Sequence, residues 1–562
     1  MTQRAFFMNN WVKIASTKDF EKTDRKTFQH FTIFKDGNTY FACENRCPHM
    51  GYPLNKGTIR HGVITCAWHN WEFDTESGGC YRGACEDLKI YPLKIEGEDI
   101  FYDKNSNQNS KKELLPLLQE AMRSADIYQQ AKVLNQLIAH ETKVEDIIET
   151  ALLHGYRHSI RNHQSEQAIY ESQAILDSYL LSEFFAEKEK PPLLLQGVRM
   201  AGGSTGDRMH IALLPVSELN EARSLELLER YTKDFSPLGL ERILLTITKT
   251  KPFQLLAGTL LHLATQNYFI GQRGIFIAIS SLLRQSKLLP NQTLEEALVA
   301  QSAWVLGQTR QEPDMEERDA IQWLNIHSEI LEHKVDNHLK ERIITTEMLE
   351  DILAENSIFK IFDGLEKLLQ KEISELDILD GFSVLSARRF ARLWVNNGGM
   401  WNSASEGIRL CYAIRNVWGY HGKHHRRSLF ILAFYFFQTR WLQNGTPWKI
   451  KPAEPTEDLS KKYSHAFELL NEAEAKQLAI FMLDGKHNHL SEFSHDFCKP
   501  LLEDDFEAIQ LNTLIAVLNE QLHQKEWQPY IAGMVTYCID RKLQQNLKAA
   551  GKFGQGYFNE EK

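Results

Sequence analysis

Two short boxes constrain this chain more than any other feature. The first is Cys47-Pro48-His49, the second Cys66-Ala67-Trp68-His69, and sixteen residues separate His49 from Cys66. Each box mixes one thiol with one imidazole. Such side chains in pairs are transition-metal ligands, the thiolate a soft donor and the neutral imidazole a borderline one. Structural zinc sites usually group like with like, Cys-x2–4-Cys and His-x3–5-His. That grouping is absent here, which leaves zinc as the weaker reading. Five of the eight cysteines fall between Cys43 and Cys85. So few thiols in 562 residues make no disulfide scaffold.

The segment around the boxes reads as short strands. "WVKIAS" is one strand, and "FTIFKDGNTYFACE" is a hairpin in which Asp36-Gly37 supplies the positive φ angles of a tight turn. "GVITCAWH", "WEFD" and "LKIYPLKIEGEDIFYD" follow, the last with a turn near Gly97. Residues 1–103 are therefore expected to form a small all-β domain. The polar run 104–112 is expected to be a linker, having no apolar residue to bury.

From 113 to 562 the pattern changes to apolar residues at three- and four-residue spacing, as in "SADIYQQAKVLNQLIAH". This predicts a large all-α domain, with divisions near 308–319 and 444–458, where Pro and charge accumulate. "MHIALLPV" (209–216) is an ambiguous strand-like case.

The boxes and their flanks together resemble the Rieske family. Cys-x-His, sixteen residues, then Cys-x-x-His is its pattern, and "CPHMG", "CAWHNWEFD" and the following "SGG" agree with it. The resemblance is to the ferredoxin and ring-hydroxylating-oxygenase type and covers residues 8 to 103. It implies a [2Fe–2S] cluster held by Cys47 and Cys66 on one iron and by His49 and His69 on the other. Neutral imidazoles in place of thiolates remove negative charge and raise the potential. Rieske proteins of respiratory complexes carry an additional disulfide between the boxes. Tyr52 and Trp68 stand at the matching positions. The resemblance thus implies the lower end of the Rieske range, roughly −150 mV rather than +300 mV. Asn70 departs from the glycine usual in oxygenase-type members. Cys43 is expected to pack in a strand, and Cys80 and Cys85 to be loop thiols outside the ligand set.

Terminal Rieske oxygenases add an iron held by Asp-x-x-His-x4–5-His. Here His158 and His163 have the histidine spacing, but Gly155 stands where the aspartate belongs. That motif is not carried over. A second metal in the helical domain has one other candidate set, His140, His154 and His158, placed on a single inward stripe at about 100° per residue. Additional iron there competes with the plainer reading of buried histidines bonded to carbonyls or carboxylates. Glu492 to His495 has the Glu-x-x-His spacing of a di-iron bundle. "YHGKHHRRS" (420–428) reads as a solvated basic run, "MAGGSTGD" (200–207) as a turn, and His262 as a core histidine. The Arg- and Trp-rich stretch 388–418 either lines a pocket or packs helices.

The net charge of −10 argues against nucleic acid or anionic membrane as a partner. The apolar run 429–437 is too short to span a bilayer, and the start lacks a signal-peptide core. A cytoplasmic location is expected. No nicotinamide or flavin fingerprint is evident, so an external reductase or ferredoxin is the expected electron donor. Two functions follow. One is an oxidoreductase whose cluster passes electrons to a site in or beside the helical domain, acting on an unidentified small molecule or redox partner. The other is an electron-carrier or redox-sensing module tethered to a non-catalytic helical scaffold.

Overall fold

The computed structural model describes residues 11 to 559 outside 29–30, 50, 82–87, 104–110, 159–165, 186, 188–189, 203–220, 250–252, 270–273, 289–291, 308–311, 332–345, 372, 395–399, 421–424, 445–458 and 484–507. The chain divides into two compact units, Met1–Pro116 and Leu117–Lys562.

The first unit is built from short antiparallel strands: β1 (Trp11–Ser16), β2 (Arg25–Thr27), β3 (Phe31–Asp36), β4 (Thr39–Glu44), β5 (Thr58–Arg60), β6 (Val63–Thr65), β7 (Glu72–Asp74), β8 (Ile90–Tyr91), β9 (Leu93–Glu96) and β10 (Asp99–Asp103). They pair as three sheets, in the orders β1-β10-β9, β2-β3-β4-β8 and β5-β6-β7.

The middle sheet separates two cores because side chains alternate across a strand. Phe31 and Ile33 of β3 join Ala15, Ala42, Tyr91 and Ile100 on one side. Phe34 and Cys43 join Leu54, Ile64 and Phe73 on the other. Each fully buried Phe, Leu or Ile among them contributes roughly 1.5–3 kcal/mol. Cys43 packs in its strand as the sequence predicts, and burial pushes its thiol up to about 12.

The hairpin turns differ in detail from the sequence reading. β3 and β4 pair from Asp36 to Thr39, so the turn residues are Gly37 and Asn38. Of these only Gly37 has a positive φ, 62°. Asp36 stays in the ladder, and its Oδ2 accepts a hydrogen bond from the Gly62 N–H at 2.9 Å. A further hairpin joins β5 to β6 through His61 (φ 52°) and Gly62 (φ 75°). Two positive φ values in a two-residue loop match the right-handed twist of the flanking strands.

Among the described residues of the second unit, every α or 3-10 element is helical in the predicted manner and none is a strand. The helix Ile358–Gln370 buries Ile358, Ile361, Phe362, Leu365, Leu368 and Leu369, a 3.6-residue stripe. The helix Met315–Ile326 starts on a capping box, with the Glu317 N–H donating to Asp314 at 2.8 Å and the Asp314 N–H to Glu317 at 2.9 Å. In the helix His425–Gln438 the run Leu429–Phe437 is buried all round. No helix among the described residues is long and apolar enough to cross a membrane.

Two arginines of this unit, Arg284 and Arg415, are held in ion pairs. Arg284 bridges Asp177 and donates to the Tyr412 hydroxyl at 2.7 Å, while Asn512 donates to Asp177 at 3.1 Å. Arg415 reaches Glu520 at 2.9 Å and Asp380 at 2.7 Å. Breaking such a pair leaves an uncompensated buried charge and costs about 3–5 kcal/mol.

Candidate metal centre

The two boxes fold as two copies of one loop. The Cys47 N–H donates to the Tyr52 carbonyl at 2.8 Å, and the Gly51 N–H returns to the Cys47 carbonyl at 2.7 Å. The Cys66 N–H donates to the Trp71 carbonyl at 2.8 Å, and the Asn70 N–H returns to the Cys66 carbonyl at 3.0 Å. In both loops the residue four after the cysteine has a positive φ, 77° at Gly51 and 55° at Asn70. Asparagine is one of the few residues that tolerate this region. The Asn70 departure noted in the sequence therefore keeps the loop shape.

Neighbouring contacts hold the first loop. Arg25 Nη1 donates to the carbonyls of Asn55 at 2.8 Å and Gly57 at 2.6 Å. The Asn55 N–H donates to Asn45 Oδ1 at 2.8 Å. The second loop is followed by a turn in which Asp74 Oδ1 accepts from the Ser77 N–H at 2.7 Å and the Glu76 N–H at 3.1 Å. These bonds, the Ser77 one foremost, hold the Asp74 carboxyl below its usual range. Gly78 of the "SGG" stretch has φ 76°, and a Cβ there would lie 1.9 Å from the Leu88 carbonyl oxygen.

Both thiols enter one apolar core. Cys47 is 2% and Cys66 1% exposed, and each packs with Leu54, Ile64 and Phe73. The two imidazoles lie half-buried, with ring centroids 4.9 Å apart and edge to face. His49 stacks on Trp71 at 4.5 Å and His69 on Trp68 at 4.4 Å. His49 Nδ1 is buried with no hydrogen-bond partner among the described residues. A buried ring nitrogen without a partner suits a metal ligand, because leaving it unsatisfied costs about 1–3 kcal/mol. Tyr52 and Trp68, where a respiratory Rieske protein has its disulfide, are in contact as an aromatic pair at 5.6 Å.

The comparisons with known proteins agree with this geometry. The family model of the Rieske [2Fe-2S] domain matches residues 10–92. The biphenyl dioxygenase ferredoxin subunit of Pseudomonas sp. (strain KKS102) is 34% identical over 77 residues, which are 13% of this chain and 71% of that protein. The chain belongs to the Rieske [2Fe-2S] family. Two longer relatives are similar over stretches of comparable length. Oxidoreductase NdmD of Pseudomonas putida is 35% identical over 80 residues, 13% of each chain. The chloroplastic pheophorbide a oxygenase of Oryza sativa subsp. japonica is 30% identical over 87 residues, 14% of this chain and 16% of that one. The helical unit lies outside the residues that the family model matches. The Rieske domain implies a [2Fe–2S] cluster as its cofactor.

The other sequence candidates belong to the second unit or to loops of the first. His140 does not share a stripe with His154. It caps the C-terminus of the helix Ile127–Ala139, Glu141 turns the chain at φ 52°, and a new helix runs Val144–His158. That helix continues through Gly155 rather than breaking there. His154 is 4% exposed within it. The His158 side chain, His163, the Glu492–His495 motif, Cys85 and the strand-like 209–216 segment lie outside the described residues. So do 104–110 of the expected linker, 203–207, 308–311, 421–424 and 445–458. Cys80 is half-buried, bridges Phe73 and packs against the core that holds both box thiols.

Among the described residues, the one trio of metal-capable side chains with mutually close donor atoms is His327, Asp363 and Glu366. Trp323 organises it, stacking on His327 at 4.0 Å and donating Nε1–H to Asp363 at 2.7 Å. His327 Nδ1 lies 2.9 Å from the Trp323 carbonyl oxygen, which only accepts, so the ring proton sits on Nδ1. The sequence reading missed this group because His327, at the end of one helix, lies 36 positions before Asp363 on another, which also carries Glu366.

Proposed function

We propose that Cys47 and Cys66 hold one iron of the cluster and His49 and His69 the other, and that the Rieske unit works as a one-electron carrier. What supports the ligand set is the repeated loop. Two copies of one hydrogen-bonded turn deliver both thiols into one dry core and bring both imidazoles together at 4.9 Å. When bound, the cluster supplies a single reversible electron at a potential raised by its neutral nitrogen ligands.

The residues of this chain do the rest. The apolar core around Cys47 and Cys66 keeps water from the sulfur side. Trp71 and Trp68 fix the planes of the two imidazoles by stacking. Trp68 is 51% exposed, so the histidine side of the unit faces solvent where a partner docks. The ferredoxin relative favours an external reductase or ferredoxin-type donor. The helical unit, an oxidoreductase partner in the same chain, receives the electrons at a site in or beside it.

The test is chemical analysis of the purified full chain. Iron and acid-labile sulfide are expected at two each per chain, with a reduced-state electron paramagnetic resonance spectrum typical of mixed nitrogen and sulfur ligation. A colourless protein holding zinc would sink the reading. Iron beyond two per chain, together with oxygen-dependent turnover, separates the oxidoreductase from a carrier on a non-catalytic scaffold.

A further inference from the structure

Part of the Arg-rich stretch does line a pocket. Three helices of the second unit, Thr346–Leu353, Glu375–Ala391 and His425–Gln438, contribute to a cavity of about 350 Å³. That volume falls within the usual range for small-molecule sites, about 300–1,000 Å³. Its walls include three arginines with different surroundings. Arg388 is neutralised: it forks onto Glu526 at 2.7 and 2.8 Å and reaches Glu350 at 3.2 Å.

Arg389 is not. It is 4% exposed, donates to the Thr439 hydroxyl at 2.9 Å, and lies 4.0 Å over the Phe436 ring. No carboxylate among the described residues forms an ion pair with it. Burial pulls its guanidinium down to about 10, and the like charge of Arg392 acts in the same direction. Arg392, one helical turn on, is half-buried and also has no ion pair among the described residues. The acidic wall residues Glu350 and Asp351 are exposed to solvent. A buried cation without a counter-charge is costly, and a bound anion is the usual remedy. The rest of the wall is apolar, with Leu353, Leu385 and Phe436 all buried.

We propose that this cavity binds a small organic carboxylate, its anionic end on Arg389 and Arg392 and its apolar body against Leu353, Leu385 and Phe436. The proposal is independent of the cluster, since every residue it uses belongs to the helical unit.

The test is calorimetric titration of the full chain with benzoate, benzamide and inorganic phosphate at matched ionic strength. Benzoate is expected to bind, and its neutral amide isostere to bind at least tenfold more weakly. Arg392→Gln should weaken benzoate about tenfold or more, as expected for loss of one charge-assisted contact. Asp351→Asn should leave the affinity unchanged or tighten it, which a general loss of structure would not do. Arg389→Met should abolish binding; because it alters a buried site, Arg392→Gln is the deciding variant. Equal binding of benzoate and benzamide, or no benzoate binding up to about 10 mM, would overturn the proposal. Unchanged affinity in Arg392→Gln would also overturn it. Phosphate binding with benzoate silent would overturn the organic-carboxylate assignment.

Discussion

Gly51 and Asn70 occupy the same place in two copies of one cysteine loop, each donating its N–H to the carbonyl of the cysteine four residues before it. Their φ angles, 77° and 55°, lie in the left-handed region. This makes position 70 a test of backbone conformation. Asn70→Gly should leave the loop intact. Asn70→Ala should destabilise it by about 1 kcal/mol, since a Cβ without a polar side chain is disfavoured there. Chemical denaturation followed by cluster absorbance separates the two. Equal stability of the alanine and glycine variants would remove the left-handed reading.

The ligand assignment predicts an electrochemical result. His69→Cys adds a thiolate at the iron that carries nitrogen ligands. The variant should keep a cluster, and its midpoint should fall toward the roughly −400 mV of an all-cysteine centre. Voltammetry on the full chain reads this directly. A midpoint equal to wild type would count against His69 as a ligand.

Trp68 is expected to act at the docking face. It is 51% exposed, stacks on His69 and touches Tyr52 at 5.6 Å. Large exposed aromatics at the centre of a contact carry much of its energy, often about 2 kcal/mol or more on truncation. Trp68→Ala should therefore slow reduction by a ferredoxin reductase about tenfold or more under second-order conditions, while iron content stays at wild-type level. Stopped-flow reduction measures the rate. An unchanged rate would move the docking face elsewhere.

How much of this was legible in the sequence depended on local signals. The Cys-His boxes and the β3–β4 hairpin carry their information in adjacent residues, so spacing alone revealed them. The β5–β6 hairpin was hidden because each strand is three residues long, too short to display alternation. The histidine stripe failed for a related reason. Extrapolating 100° per residue from His140 to His154 assumes an unbroken helix, and the break at Glu141 carries no glycine or proline to announce it. Asn70 looked like a departure until its backbone could be set beside Gly51. The Arg389 cavity was only half readable, because Arg388–Arg392 meet Leu353 and Phe436 through tertiary packing.

Asp74 ties the second cysteine loop to pH. Its carboxylate accepts hydrogen bonds from Ser77 and Glu76, and these hold its folded pKa below the ordinary value near 4. A carboxyl depressed in the folded state stabilises fully above its unfolded pKa, and that contribution disappears as pH falls through the lower, folded value. Acidification below about pH 4 should thus loosen the turn that leads from β7 to Gly78. Asp74→Asn keeps an acceptor oxygen but cannot titrate. It should be less stable than wild type at neutral pH, and the difference should shrink steadily as the solution is acidified. Cluster-loss midpoints measured from pH 7 to pH 3 give the comparison. A stability gap that stayed constant across that window would mean that Asp74 holds the turn by packing and not by charge.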